Sequence, residues 1–293
     1  MNYRMKPSKK TLLYTGYIIG ITIFFLWYLF PSDTLKAYLA YRLTQGRSDV
    51  TVTIDRLRPI LPPGIKLQDV VIARQSKTLI NLASLNLMPE LLSLFSDKTV
   101  VNFKSRVYQG NMSGRVELGG GPPGNEIKID GNLAGIQVQQ LSVLKQLSDH
   151  EISGVLDGTF SYADTKPNRS LSGNLTLTNC RIMLAAPVFS QKSFEFKNIK
   201  ADLTMQDNTL VIKQLNAMGN QLDLHLAGNV GFNGTDPAEN RLDLTGTVTP
   251  HHVFLAKIGK DIPVDLLRNK KAGQTAISFR VDGTMDEPGF SLD

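Results

Sequence analysis

The sequence predicts a mainly β protein: a single N-terminal transmembrane helix, then a coiled, mostly antiparallel β-sheet domain with a few short helices. Three observations carry this. Thr11 to Phe30 is a 20-residue run without a charge. From Val50 onward apolar residues recur with period two. And one short phrase, a small residue, Gly, then Asn, Thr or Arg, then an apolar residue, returns seven times at irregular intervals.

The uncharged run comes first. As a helix it would extend roughly 30 Å, the thickness of a bilayer's hydrocarbon core. Tyr14 and Tyr17 lie toward one end and Trp27 and Tyr28 toward the other, as interfacial aromatic belts do. It ends in bulky WYLF before Pro31, without the small residues a signal-peptide cleavage site needs. Arg4, Lys6, Lys9 and Lys10 precede it and carry four of the chain's net six positive charges. By the positive-inside rule that end stays cytoplasmic. The expected organisation is a basic tail at 1–10, one membrane span at 11–30 and an exported β-rich domain at 31–293. With so little net charge on the domain, nucleic acid is not an expected partner.

Next, DTLKAYLAYRLTQG reads as a short helix capped by Asp33, with Leu35, Tyr38, Leu39 and Leu43 at helical spacing and Gly46 as its stop. Such a helix either lies on the bilayer surface or closes one end of the domain. The remainder contains a dozen to fifteen strand-like runs, from VTVTID to AISFRVDGTM, separated by GGGPPG, TKPN, QDN and NGTDP. Short connections make neighbours antiparallel. Three helical interruptions are expected, at Met88–Ser96, Val138–Ser148 and His251–Lys270.

In a strand, residues of equal parity share a face. Applied to the phrases, this puts Leu242, Leu244, Gly246 and Val248 together, and likewise Leu222, Leu224, Leu226 and Gly228. Phe279, Val281 and Gly283 form a third set. Gly114, Gly131, Gly158 and Gly173 fall on apolar faces in the same way. A glycine inside a strand costs stability and needs a reason. It bends the strand, curving the sheet around its apolar side, or it clears space for something that approaches the backbone. Leu222, Leu224, Leu226, Leu242, Leu244, Phe279 and Val281 are therefore candidate lining residues of an apolar face. That face is either a self-filled core or an open groove for acyl chains.

No catalytic motif appears: GxxxxGK[ST], GxSxG, HExxH and CxxC are all absent. His251 and His252 are adjacent and point apart on a helix, and His150 and His225 lack neighbours at ligand spacing. No metal, cofactor or enzymatic activity is expected. Cys180, the single cysteine, reads as a small buried apolar residue.

The stretch Phe196–Val230, FKNIKADLTMQDNTLVIKQLNAMGNQLDLHLAGNV, resembles the repeating strand unit of the AsmA-like superfamily. Val107–Leu118, VYQGNMSGRVEL, is similar to a companion phrase in which Tyr is followed by two glycines; here Gln109 intervenes. Within the superfamily, one anchor and about 260 following residues look most like the type II secretion system N protein family. That resemblance implies a single-pass bacterial inner-membrane protein with its bulk in the periplasm. It implies a non-enzymatic accessory or structural component, with other inner-membrane secretion subunits as partners. The wider superfamily implies phospholipid binding or transfer in envelope biogenesis.

Overall fold

The computed structural model describes residues 9–44, 50–61, 63–74, 77–119, 126–142, 144, 150–165, 168–188, 191–232, 239–252, 254–255 and 276–292. Two helices lead: α1 (Lys9–Tyr28) and α2 (Ser32–Thr44). Fourteen strands follow: β1 (Val50–Ile60), β2 (Gly64–Arg74), β3 (Lys77–Pro89), β4 (Lys98–Val107), β5 (Gly110–Gly119), β6 (Ile127–Gln137) and β7 (Glu151–Thr165). The series continues with β8 (Asn168–Val188), β9 (Gln191–Gln206), β10 (Thr209–Gly219), β11 (Leu222–Gly231), β12 (Arg241–Pro250), β13 (Ile277–Thr284) and β14 (Pro288–Leu292). They form one antiparallel sheet in strict chain order. β1 and β14 are its two edges, so it is neither a barrel nor a sandwich.

The hairpins are built as the turn residues dictate. Asp207 and Asn208 join β9 to β10 in a two-residue turn, with Asp207 at φ 51°. Tyr108 and Gln109 join β4 to β5, both with positive φ (46° and 63°). Paired positive φ values match the right-handed twist of the flanking strands. Gln109 thus occupies a backbone position that glycine fits without strain.

Of the three short helices expected within the sheet domain, the one at Met88–Ser96 is corrected, and the other two lie partly or largely outside the described residues. Met88 and Pro89 extend β3 instead, and Pro89 pairs with Val101. Only Leu91–Phe95 turns, as a single 3-10 turn. There the Ser93 hydroxyl donates to the Glu90 carbonyl and accepts from the Val100 N–H, tying the turn to β4. At Val138–Ser148 a 3-10 turn covers Val138–Gln140; residues 143 and 145–149 lie outside the described set. Of His251–Lys270 only the first turn is described, where the Phe254 and Leu255 N–H groups donate to the His251 carbonyl.

α2 begins one residue before the expected cap, so Asp33 sits inside its first turn. There its charge still suits the helix's positive end. Phe30, Leu35 and Leu39 pack onto the buried cluster of Ile54, Leu57, Leu67, Val70 and Leu82, while Tyr38 is exposed. Of the two readings for α2, the structure has it closing the β1 end of the sheet. Lys36 Nζ adds a hydrogen bond to the Asp55 carbonyl (3.2 Å). Cys180 is buried with Phe196 and Ala217, and burial raises its thiol pKa, as fits a packed and unreactive residue.

Among the described residues no helix is long and apolar enough to cross a membrane. The side chains of Leu12, Ile19, Ile23 and Leu26 in α1 are outside that set. The helix itself runs 20 residues, and from Thr11 onward its sequence carries no charge.

Candidate functional site: an open apolar sheet face

Directly paired residues in an antiparallel ladder present their side chains on the same face. Following the pairing from strand to strand gives one row across the whole sheet. It runs Pro59, Ile65, Leu87, Phe103, Gly114, Gly131, Phe160, Gly173, Leu203, Ile212, Gly228, Leu244, Val281, Phe290. Every position is apolar or glycine. A second row lies beside it: Leu57, Leu67, Leu85, Ser105, Met112, Leu133, Gly158, Leu175, Ala201, Leu215, Leu226, Gly246, Phe279, Leu292. Its one hydroxyl, Ser105, is satisfied by the Ser84 carbonyl at 2.9 Å.

A third row on the other flank runs from Pro89 and Val101 through Tyr162, Met205, Val230 and Leu242 to Gly283 and Pro288. Leu224 lies in a fourth, between Ala217 and Val248. Leu222 pairs with Pro250 at the end of β11. All seven phrase glycines and all seven candidate lining residues thus meet on a single face.

The seven glycines do different things. Three are seats for aromatic rings from the next strand. A Cβ on Gly131 would collide with the Phe160 ring. One on Gly114 would meet the Asp130 carbonyl and lie 2.7 Å from Phe103 Cζ, and one on Gly246 would meet the His225 carbonyl and lie 2.7 Å from Phe279 Cζ. The rings lie down across the neighbouring strand, and Phe279 also stacks on Phe290 at 5.7 Å. Gly158, Gly228 and Gly283 are set apart by positive φ, and they too lie against backbone carbonyls, those of Asn174, Asp243 and Glu287. Gly173 has only ordinary contacts, 3.5 Å or longer. Parity puts Phe160 on the apolar face beside Gly158, but neither its seat on Gly131 nor that of Phe103 on Gly114 is visible in the sequence. Their signal lay in the pairing register, which single-strand parity does not contain.

The face is apolar but incompletely covered. Under α2, Ile54, Leu57, Leu67, Val70 and Leu82 are buried; along β8 to β13 Leu175, Ala201, Leu203, Leu226, Leu244 and Val281 are half-buried, while Ile212 and Phe279 in the same rows are buried. Each strand makes substantial contacts only with its chain neighbours, so among the described residues no second sheet lies on this face. At ~4.8 Å per strand it extends on the order of 60 Å. The opposite face is polar, with ion pairs such as Arg280–Asp243 (2.9 Å) and Arg181–Glu195 (3.2 Å).

No group of three or more potential metal ligands occurs among the described residues. His251 instead contacts Asp223 through Nε2 (3.1 Å), and the Gly219 N–H donates to the same carboxylate (3.0 Å). Partial burial disfavours the charge on Asp223. The hydrogen bonds from His251 and Gly219 and the charges of His251 and His225 outweigh it, holding the carboxyl below its ordinary pKa. A depressed carboxylate stabilises the fold above its unfolded pKa and loses that contribution as pH falls through the folded value. Asp223→Asn should therefore cost stability at pH 7, at most about 1 kcal/mol given the solvent-exposed pair. In urea melts the difference from the parent should vanish at acidic pH.

Comparison with protein-family models, curated proteins and solved structures finds no match. The chemistry of the face therefore rests on its own geometry. Among its described residues no nucleophile lies beside a base. It offers a long strip of hydrocarbon with aromatic rings laid flat, suited to an extended apolar chain at about 0.8 kcal/mol per methylene buried.

Proposed function

We propose that this chain is a membrane-anchored, non-enzymatic acyl-chain binder, in which α1 spans the bilayer once and the sheet presents its apolar face to phospholipid in the adjoining compartment. One observation carries the reading: the apolar rows are continuous across the sheet, while much of the face along β8 to β13 is only half-buried. A self-contained core would be covered, and exposed apolar surface on this scale marks a binding site. The uncharged stretch of α1 supports the anchor, and the basic residues before it support a cytoplasmic N-terminus in a bacterial inner membrane.

Photo-crosslinking residues at Leu224, Leu244 and Phe279 in cells test it. Adducts that contain phospholipid support the reading. Adducts to protein side chains alone defeat it.

A second reading, an accessory component of the type II secretion system, is favoured by one further feature. Residues 196–230 form the strand, Asp-Asn turn, strand, short turn and strand on which the family resemblance rests. Purification of the tagged chain from its native membrane should then recover inner-membrane secretion subunits. Their absence under conditions that preserve membrane complexes would set this reading aside.

A further inference from the structure

The three most exposed large apolar side chains among the described residues of the sheet domain are Phe95 (91%), Leu92 (88%) and Leu61 (75%). All three stand on turns, not on the apolar face. Leu61 is in the β1–β2 turn; Leu92 and Phe95, with Leu91 half-exposed, are in the 3-10 turn between β3 and β4. These turns are neighbours: a Cβ on Gly64 would lie 2.7 Å from the Leu87 carbonyl and 3.2 Å from Met88 Cγ. By contrast the Asp207–Asn208 turn, at the same end of later strands, is polar.

The path of the chain puts these turns beside the anchor. Lys36 touches the Asp55 carbonyl in the middle of β1, α2 ends at Thr44 and β1 starts at Val50, so α2 lies antiparallel to β1. From Lys36 back to Phe30 the chain climbs about 9 Å, a height covered by about three strand residues. The end of α1 therefore stands level with Arg58–Ile60, at the end of β1 that carries Leu61. Arg58 and Lys66 face each other across β1 and β2, and Lys98 follows the 3-10 turn. Of the nearby acids, Glu90 is engaged by Asn102 and Arg115, and Asp97 stands exposed beside Lys98, leaving Arg58 and Lys66 as the net basic pair.

We infer that Leu61, Leu91, Leu92 and Phe95 form a second membrane contact, inserting into the interfacial layer of the bilayer that α1 spans. Two apolar turns with basic neighbours suit an anionic lipid surface. Held at the anchor and at these turns, the sheet has one orientation, with the β1–β2 and β3–β4 turns at the membrane. The inference rests on the anchored reading of α1, and the experiment separates the two.

The full chain is reconstituted in phosphatidylethanolamine–phosphatidylglycerol vesicles, with an environment-sensitive fluorophore on Leu92→Cys, Phe95→Cys, Asp207→Cys or Tyr17→Cys. Cys180 is buried and stays unlabelled. The expected result is a blue shift at 92 and 95 and quenching by a lipid-borne nitroxide, not by aqueous iodide, with the reverse at 207. Iodide quenching at 92 and 95 overturns the inference. So does a blue shift there without nitroxide quenching, which indicates cover by a second copy or another protein. The label at 17 reports the anchor alone. Quenching there without quenching at 92 and 95 sinks the turn contact and spares the anchor; the opposite pattern sinks the anchor and spares the contact.

Discussion

Replacing Gly228 by alanine is expected to destabilise the sheet by at least about 2 kcal/mol, while the same change at Gly173 is neutral or stabilising by about 0.5 kcal/mol. The two glycines occupy the same cross-strand row and the same phrase, so sequence pattern cannot separate them. Geometry does. Gly228 has φ 141°, and a Cβ there runs into the Asp243 carbonyl and closes to 2.8 Å from Leu244 Cα. Backbone atoms cannot step aside as the end of a flexible side chain can, so both strain and overpacking apply. At Gly173 the nearest atom is the Thr159 carbonyl at 3.5 Å, an ordinary contact, and alanine reduces the freedom of the unfolded chain. Urea melts of both variants check the pair. Equal effects would show that the recurring glycine is a matter of strand composition and not of local clearance.

That contrast marks how far the sequence could be read. Strand alternation and the turn residues predict the antiparallel sheet, and parity correctly puts every phrase glycine on the apolar side. Parity falters where a bulge intervenes. Leu82 and Leu85 are three apart in β3, as are Leu133 and Ile136 in β6, yet each pair shares the apolar face. An inserted residue resets the alternation, and a single strand gives no sign of where its partner's register shifts. The same limit hid the glycines opposite Phe103 and Phe160, through which these rings matter. The helix expected at Met88–Ser96 failed for another reason. Leu91, Leu92 and Phe95 have helical spacing, but Ser93 and the pairing of Pro89 give the backbone better partners in a turn. Whether the apolar face is closed or open depends on what pairs with β14, which is a question of topology and not of pattern.

An open face makes the second large effect testable. Ala201 and Leu203 are abreast on β9, one in each of the two central rows, and both are half-exposed. Changing both to aspartate sets two carboxylates across the strip at mid-length, with solvent near enough to spare the fold a buried charge. An acyl chain crossing that strand would lose its apolar floor. About four methylenes fit one ~4.8 Å strand step, at about 0.8 kcal/mol each, so the loss is about 3 kcal/mol, on the order of a hundredfold in occupancy. Loading from the membrane-proximal strands predicts an asymmetric outcome. A photo-crosslinker at Leu133, on the α2 side of the block, should keep its phospholipid adducts, while one at Leu244 beyond it should lose them. Unchanged adducts at both positions would mean that lipid reaches each strand independently from solvent or membrane. The rows would then be a set of separate contacts, and not one continuous track.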